Sequence, residues 1–192
     1  VYAALGAMSF FLTLQLQTVS GFSALAAGVA QLPITPCMLF LAAKGGELGA
    51  RIGPRIPMTF GPLVMSAGAL LLLGVGHDVV YWRDVLPGVT VFGLGLALLV
   101  APLTATVLAA APDEHAGIAS GVNNAVARAG SLLAVAALPV AVGLAGEQYA
   151  DPVAFDAAYH SAMLACAGLL VVGGMLSWAT IRAGVLTGET AD

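Results

Sequence analysis

Arg128 and Asn124, one helical turn apart inside an apolar run of this 192-residue chain, are its strongest candidates for handling a polar molecule. Residues four apart share one face of a helix. A charge at mid-span costs about 2.5 to 3.5 kcal/mol on insertion scales, so its presence needs a reason. One reason is structural, with the guanidinium satisfied by backbone carbonyls, by Asn124, or by an acid outside this chain. The other is functional, with Arg128 and Asn124 lining a water-filled cavity and taking part in substrate binding or gating. Thr13, Gln15 and Gln17 sit in the first apolar run, where Thr13 and Gln17 share a face, and Gln31 sits in the second. These side chains could border a path for a solute or join neighbouring helices by hydrogen bonds.

The remaining reactive side chains form no constellation. His77, His115 and His160 lie near the ends of apolar runs without metal-ligand spacing, and they read as interfacial residues. Cys37 and Cys166 lie within apolar stretches, where a thiol behaves as a small hydrophobe. Asp78 and Asp84 are the acids placed next to a span, and both read as solvated loop charges. The chain carries no His-Glu-x-x-His, Gly-x-Ser-x-Gly, Walker A or dinucleotide fingerprint, which argues against an enzyme and assigns no cofactor and no metal. Any transport would draw on an ion gradient and not on ATP.

The elements that position these residues follow from composition. Hydrophobic residues make up 60% and charged residues 8% of the chain, and its mean hydropathy is +1.00. A soluble domain carries roughly 25% charged residues, so the partner implied is a lipid bilayer. A net charge of −4 without a basic surface excludes nucleic acid. Charged and turn-forming clusters divide the chain into six apolar pieces, at about 2–19, 26–43, 57–76, 85–110, 117–144 and 159–181, followed by a short tail at 183–192. Each is about as long as a helix needs to cross a bilayer. The fold class expected is therefore an all-α integral membrane protein, a bundle of six transmembrane helices. Asp151-Pro152 reads as an N-cap followed by proline at the first helical position, so the last helix should begin well before it enters the membrane. Val1 already lies in an apolar run with no basic n-region, which predicts that there is no signal peptide and that the chain is a fragment of something longer.

Lys44, Arg51, Arg55 and Arg182 fall on one side of this topology and Arg83 on the other. The positive-inside rule then places both termini and the connection 44–55 in the cytoplasm of a multi-pass protein of the cell membrane. It also puts the connection from Pro112 to His115 there, although that segment holds acids and no Lys or Arg. Stretches Ser20 to Leu25, His77 to Asp84 and Ala145 to Ala158 face outward. Small residues recur four apart in two spans: Gly93, Ala97, Ala101, Ala105 and Ala109, and Gly117, Gly121, Ala125 and Ala129. Such stripes either pack helices closely or border a path. Pro33, Pro36 and Pro102 lie inside spans and favour kinks.

Between the second and third spans runs Gly46-Glu47-Leu48-Gly49-Ala50-Arg51-Ile52-Gly53-Pro54-Arg55. This segment resembles the Gly-x-Leu-x-Asp-Arg-x-Gly-Arg-Arg-like motif between the second and third helices of each half of major facilitator proteins. Gly46, Leu48, Arg51, Gly53 and Arg55 match, whereas Ala50 replaces the acid and Pro54 a basic residue. The missing acid, which in the family steadies one conformational state, implies the weaker copy of C-terminal halves. Pro112-Asp113-Glu114 and the run Ala116 to Arg128, with Gly-Ile-Ala-Ser-Gly followed by Asn123, Asn124 and Arg128, resemble the drug:proton antiporter branch with fourteen helices. The resemblance implies half of a proton-coupled secondary exporter of small amphipathic or drug-like compounds. Its partner would be the missing N-terminal half or a second copy, and its substrate a small molecule. The alternative is a non-transporting truncated bundle or helix-packing partner.

Overall fold

The computed structural model describes residues 1–181, so Arg182 and the tail 183–192 lie outside the described residues. Those described form α-helices joined by short 3-10 and π turns, with no strand among them. The helices are α1 (Tyr2–Thr18), α2 (Ala24–Val29), α3 (Ile34–Ile52), α4 (Arg55–Leu71), α5 (Leu86–Ala109), α6 (Ala116–Ala141) and α7 (Pro152–Thr180). Five segments are long and apolar enough to cross a membrane: Ala24–Ile52, Arg55–Gly74, Tyr81–Ala109, Ala116–Ala141 and Pro152–Thr180. The 17 residues of α1 reach about 25 Å at 1.5 Å per residue, the short end of what a crossing needs. The all-helical membrane bundle is thus present, although its helices do not divide into six uniform spans.

The second apolar piece departs most from expectation. It breaks at residues 30–33 into α2 and α3, and α3 then continues through Lys44 to Ile52, a stretch read from sequence as a loop. The actual turn is only Gly53-Pro54. Gly45, Gly46 and Gly49 look like turn residues, yet in the helix they let α3 lie against α5. A Cβ at Gly45 would sit 2.6 Å from the Ala97 carbonyl oxygen, and one at Gly49 would sit 3.0 Å from the Pro102 ring. Gly53 ends the helix at φ +83°, a conformation that suits glycine. Pro33 is the N-cap of α3, whereas Pro62, Pro102 and Pro139 lie inside α4, α5 and α6.

Helix starts follow local chemistry. The Ser23 hydroxyl accepts from the Ala26 amide at 3.2 Å, capping α2. The Asp151 carboxylate accepts from the Val153 and Ala154 amides, and Pro152 follows it, so α7 begins where the Asp-Pro pair predicts. The core lies among α1, α4, α5 and α7, where Met8, Phe11, Phe92, Phe155, Tyr159 and Met163 are fully buried. Two hydrogen bonds tie α7 to the α4 side of this core: Tyr159 Oη donates to the Leu72 carbonyl at 2.8 Å, and Ser66 Oγ to the Ala167 carbonyl at 3.1 Å. Helix α6 stands at the edge against α1, and of its residues only Pro139 is buried.

Candidate functional site

The polar residues of the first two apolar runs meet. Gln31 Nε2 donates to Thr13 Oγ1 at 2.7 Å and to the Ser9 carbonyl at 3.4 Å. Thr13 Oγ1 donates in turn to the Ser9 carbonyl at 2.7 Å, and Gln17 Nε2 to the Thr13 carbonyl at 3.2 Å. The residue spacing along α1 puts Ser9, Thr13 and Gln17 on one stripe, and the break between α2 and α3 brings Gln31 up to it. All four are half-buried. The cluster binds the broken second crossing to α1 and still keeps polar atoms at a partly open surface.

Asn124 and Arg128 lie elsewhere, on the outer face of α6. Both are exposed, and neither side chain makes a hydrogen bond or ion pair among the described residues. Their face also carries the second small-residue stripe. Gly117, Gly121, Ala125 and Ala129 are all exposed, and a Cβ at Gly117 or Gly121 would meet nothing within 4 Å. The first stripe behaves oppositely. Gly93 and Ala97 are buried, and a Cβ at Gly93 would come 3.1 Å from Ile34 Cα. On α5 the stripe is therefore a packing seam against α3, whereas on α6 the stripe packs against no part of the described chain.

The motif residues gather around the turn from α3 to α4. Gly46 faces Ala101 of α5, where an added Cβ would stand 3.3 Å from the Ala101 methyl, while Leu48 and Arg51 point outward. Arg55 closes this end of the bundle. Its Nε donates to the Trp178 carbonyl at 2.8 Å, and its guanidinium carbon stands 4.1 Å from the centre of the Trp178 ring. A cation over an indole face is attracted by the ring quadrupole. Arg55 thereby joins the start of α4 to the end of α7, a contact that the loop motif does not reveal.

Gln15 lies between Thr13 and Gln17 in sequence, but the structure separates it from both. Gln15 is fully buried and its Nε2 donates to the Val75 carbonyl at 3.0 Å and to Asp156 Oδ1 of α7. Its Oε1 is buried without a hydrogen-bond partner among the described residues. Asp156 was part of an unremarkable polar stretch in the sequence. Only the opposite phase of Gln15 on α1, two residues from Thr13 and Gln17, hinted that it faces a different neighbour.

Comparison with known proteins agrees with this architecture. Residues 1–135 match the family model described as Major Facilitator Superfamily. The chain is 33% identical over 138 residues to the multidrug resistance protein Stp of Mycobacterium tuberculosis, covering 72% of this chain and 25% of that protein. It is 34% identical over 176 residues to a probable actinorhodin transporter of Streptomyces coelicolor, covering 87% of this chain and 30% of that one. With the puromycin resistance protein pur8 of Streptomyces alboniger it shares 32% identity over 186 residues, 89% of this chain and 36% of that relative. The chain thus spans between a quarter and rather more than a third of the length of these relatives. All three are named as resistance or transport proteins and none as an enzyme.

Proposed function

We propose that this chain, which belongs to the major facilitator superfamily and is a multi-pass membrane protein, supplies one half of a proton-coupled secondary exporter of small amphipathic compounds. The observation that carries this reading is the vacant face of α6. A guanidinium, a carboxamide and a stripe of small residues stand there without a partner among the described residues. A bilayer does not tolerate an unpaired guanidinium at that depth without water or a counter-group. An opposing half whose backbone approaches along Gly117 and Gly121, with a water-filled cavity reaching Asn124 and Arg128, satisfies both requirements.

The opposing half would be an N-terminal half of the same protein or a second copy of this chain. Together α1, the α2–α3 pair and α4 to α7 would make six crossings. Lys44, Arg51 and Arg55 collect at the α3–α4 end, which supports, by the positive-inside rule, a cytoplasmic side for that turn and for both termini. The substrate class is small and amphipathic or drug-like. Relatives carry names that refer to puromycin and actinorhodin, and another, the quinolone resistance protein NorB of Staphylococcus aureus, is 30% identical over 146 residues. In this reading Thr13, Gln17 and Gln31 border the same path, and the Gly46–Arg55 segment steadies one conformational state through the Arg55 contact with Trp178.

The test is Arg128→Ala in the full-length protein. Membrane insertion should persist while efflux of a fluorescent amphipathic cation from intact cells falls. Unaltered efflux at equal expression would sink the role given to Arg128.

A further inference from the structure

Helices α4 and α7 pack together on a side of the bundle that α6 does not share: α6 lies mainly against α1, and α4 against α5 and α7. Between α4 and α7 runs a groove of about 360 Å³ lined by Thr59, Phe60, Leu63, Met175 and Trp178. Its floor is tight, because a Cβ at Gly174 would stand 2.9 Å from the Thr59 carbonyl oxygen and 3.5 Å from Leu63 Cγ. Its rim is open, with Phe60, Met175 and Trp178 exposed. Both helices belong to segments able to cross a membrane, so the groove opens onto lipid.

We propose that this groove holds one acyl chain of an anionic phospholipid whose phosphate is bound by Arg55. Arg55, Thr59 and Leu63 follow one another at four-residue spacing on α4 and share a face. Arg55 thus continues the line of the groove toward the Gly53-Pro54 turn, and its guanidinium lies over the ring of Trp178, which forms part of the groove wall. The eight steps from Arg55 to Leu63 rise about 12 Å, close to the roughly 15 Å of one leaflet of a 30 Å hydrocarbon core. A headgroup at Arg55 therefore leaves its chain alongside Phe60, Leu63 and Met175.

The charges fit an anion. Arg55 uses its Nε–H on the Trp178 carbonyl at 2.8 Å, while its two terminal nitrogens make no hydrogen bond and pair with no carboxylate among the described residues. Stacking on the indole, 4.1 Å from its centre, fixes the plane of that fork, the geometry in which arginine holds phosphate bidentately. Helix α4 has no acidic residue, and the one on α7, Asp156, lies 22 positions before Trp178, about 33 Å along the helix. Tryptophan itself favours the level of the headgroups. A phosphatidylcholine head would bring its quaternary ammonium toward the same guanidinium, whereas phosphatidylglycerol carries no cation. This inference requires that the chain cross a bilayer, not that it transport, so its failure would leave the exporter reading untouched.

The test uses the full-length protein with Phe60→p-benzoylphenylalanine, reconstituted in equal parts of phosphatidylglycerol and phosphatidylcholine with identical chains. After irradiation, the lipid joined to residue 60 is identified by mass. A ratio of adducts is read within each sample, so expression level drops out. We expect about fivefold more phosphatidylglycerol than phosphatidylcholine, the effect of about one basic residue near the membrane surface. The same probe at the exposed Leu71, at the other end of α4, should return the bulk ratio. Arg55→Gln, and Leu63→Trp, which fills the groove, should each bring the Phe60 ratio back to bulk, while Arg55→Lys keeps part of the enrichment. A bulk ratio at Phe60 in the parent, equal enrichment at Leu71, or enrichment that survives Arg55→Gln or Leu63→Trp would overturn the assignment. So would complete loss in Arg55→Lys, which would trace the effect to the broken Trp178 contact, or a crosslink from residue 60 to another segment of the protein in place of lipid.

Discussion

Gly95 and Gly121 offer a direct comparison, because both are glycines in long apolar helices and the structure gives them opposite surroundings. An added Cβ at Gly95 would stand 2.5 Å from the Gly61 carbonyl oxygen and 2.6 Å from the Met65 amide nitrogen, both backbone atoms of α4. That is roughly 1 Å short of ordinary contact, so α4 and α5 would have to part along their whole seam. Overpacking costs about 1 to 3 kcal/mol, and a clash with backbone atoms, which no side-chain shift relieves, falls in the upper part of that range, about 2 to 3 kcal/mol, against which alanine returns about 1 kcal/mol of helix propensity. We predict that Gly95→Ala is destabilising by about 1 to 2 kcal/mol, which for a chain of this size lowers Tm by several degrees, on the order of 2 to 8 °C. Gly121→Ala meets nothing within 4 Å, so only the propensity gain remains and Tm should hold or rise slightly. The assay is thermal unfolding of this chain, without an opposing half, in detergent, followed by near-UV circular dichroism, which reads tertiary packing. A Gly95→Ala protein melting at or above the parent would refute the sealed seam, and a Gly121→Ala protein melting as low as Gly95→Ala would refute the open face of α6.

Arg128→Leu should make insertion of the α6 segment more favourable by about 2.5 to 3.5 kcal/mol plus the gain from leucine, read by a glycosylation-based insertion assay; an unchanged inserted fraction would mean the guanidinium already reaches the interface. Arg55→Ala removes the hydrogen bond to the Trp178 carbonyl and the stacking on its ring, and it should destabilise the α4–α7 end by about 1 to 2 kcal/mol, with Arg55→Lys intermediate. Equal stability of Arg55→Lys and the parent would show that the planar guanidinium is not needed. Gln31→Leu leaves Thr13 bonded to the Ser9 carbonyl, so its stability cost should stay near 1 kcal/mol or below; a loss several times larger would mean that Gln31 is the main tie between α1 and the broken second crossing.

The helical class was legible because lipid as solvent demands it, and composition announced lipid. Asp151-Pro152 gave the start of α7 since a cap and a fixed φ act locally. The segment from Lys44 to Ile52 was misread because glycine has two uses. In sequence Gly45, Gly46 and Gly49 look like turn formers, whereas their role is set by α5 passing within contact distance, which no local signal carries. The pairing of Thr13 and Gln17 on one face was visible from their spacing, but the meeting with Gln31 depended on the break at residues 30–33. Gln15 and Asp156 are 141 positions apart, and only the packing of α1 against α7 brings them together. On α5 and α6 the same small-residue spacing ends in opposite environments, because period alone fixes a face and not what covers it.

The role proposed for this chain is that of half of an exporter driven by a proton gradient. Everted membrane vesicles carrying the full-length protein, energised so that their lumen is acidic, would be assayed for uptake of a fluorescent amphipathic aromatic cation. We predict uptake well above vesicles lacking the protein, abolished by a protonophore and reduced by Arg128→Ala. Uptake that equals the control, or that persists undiminished when the proton gradient is collapsed, would contradict it.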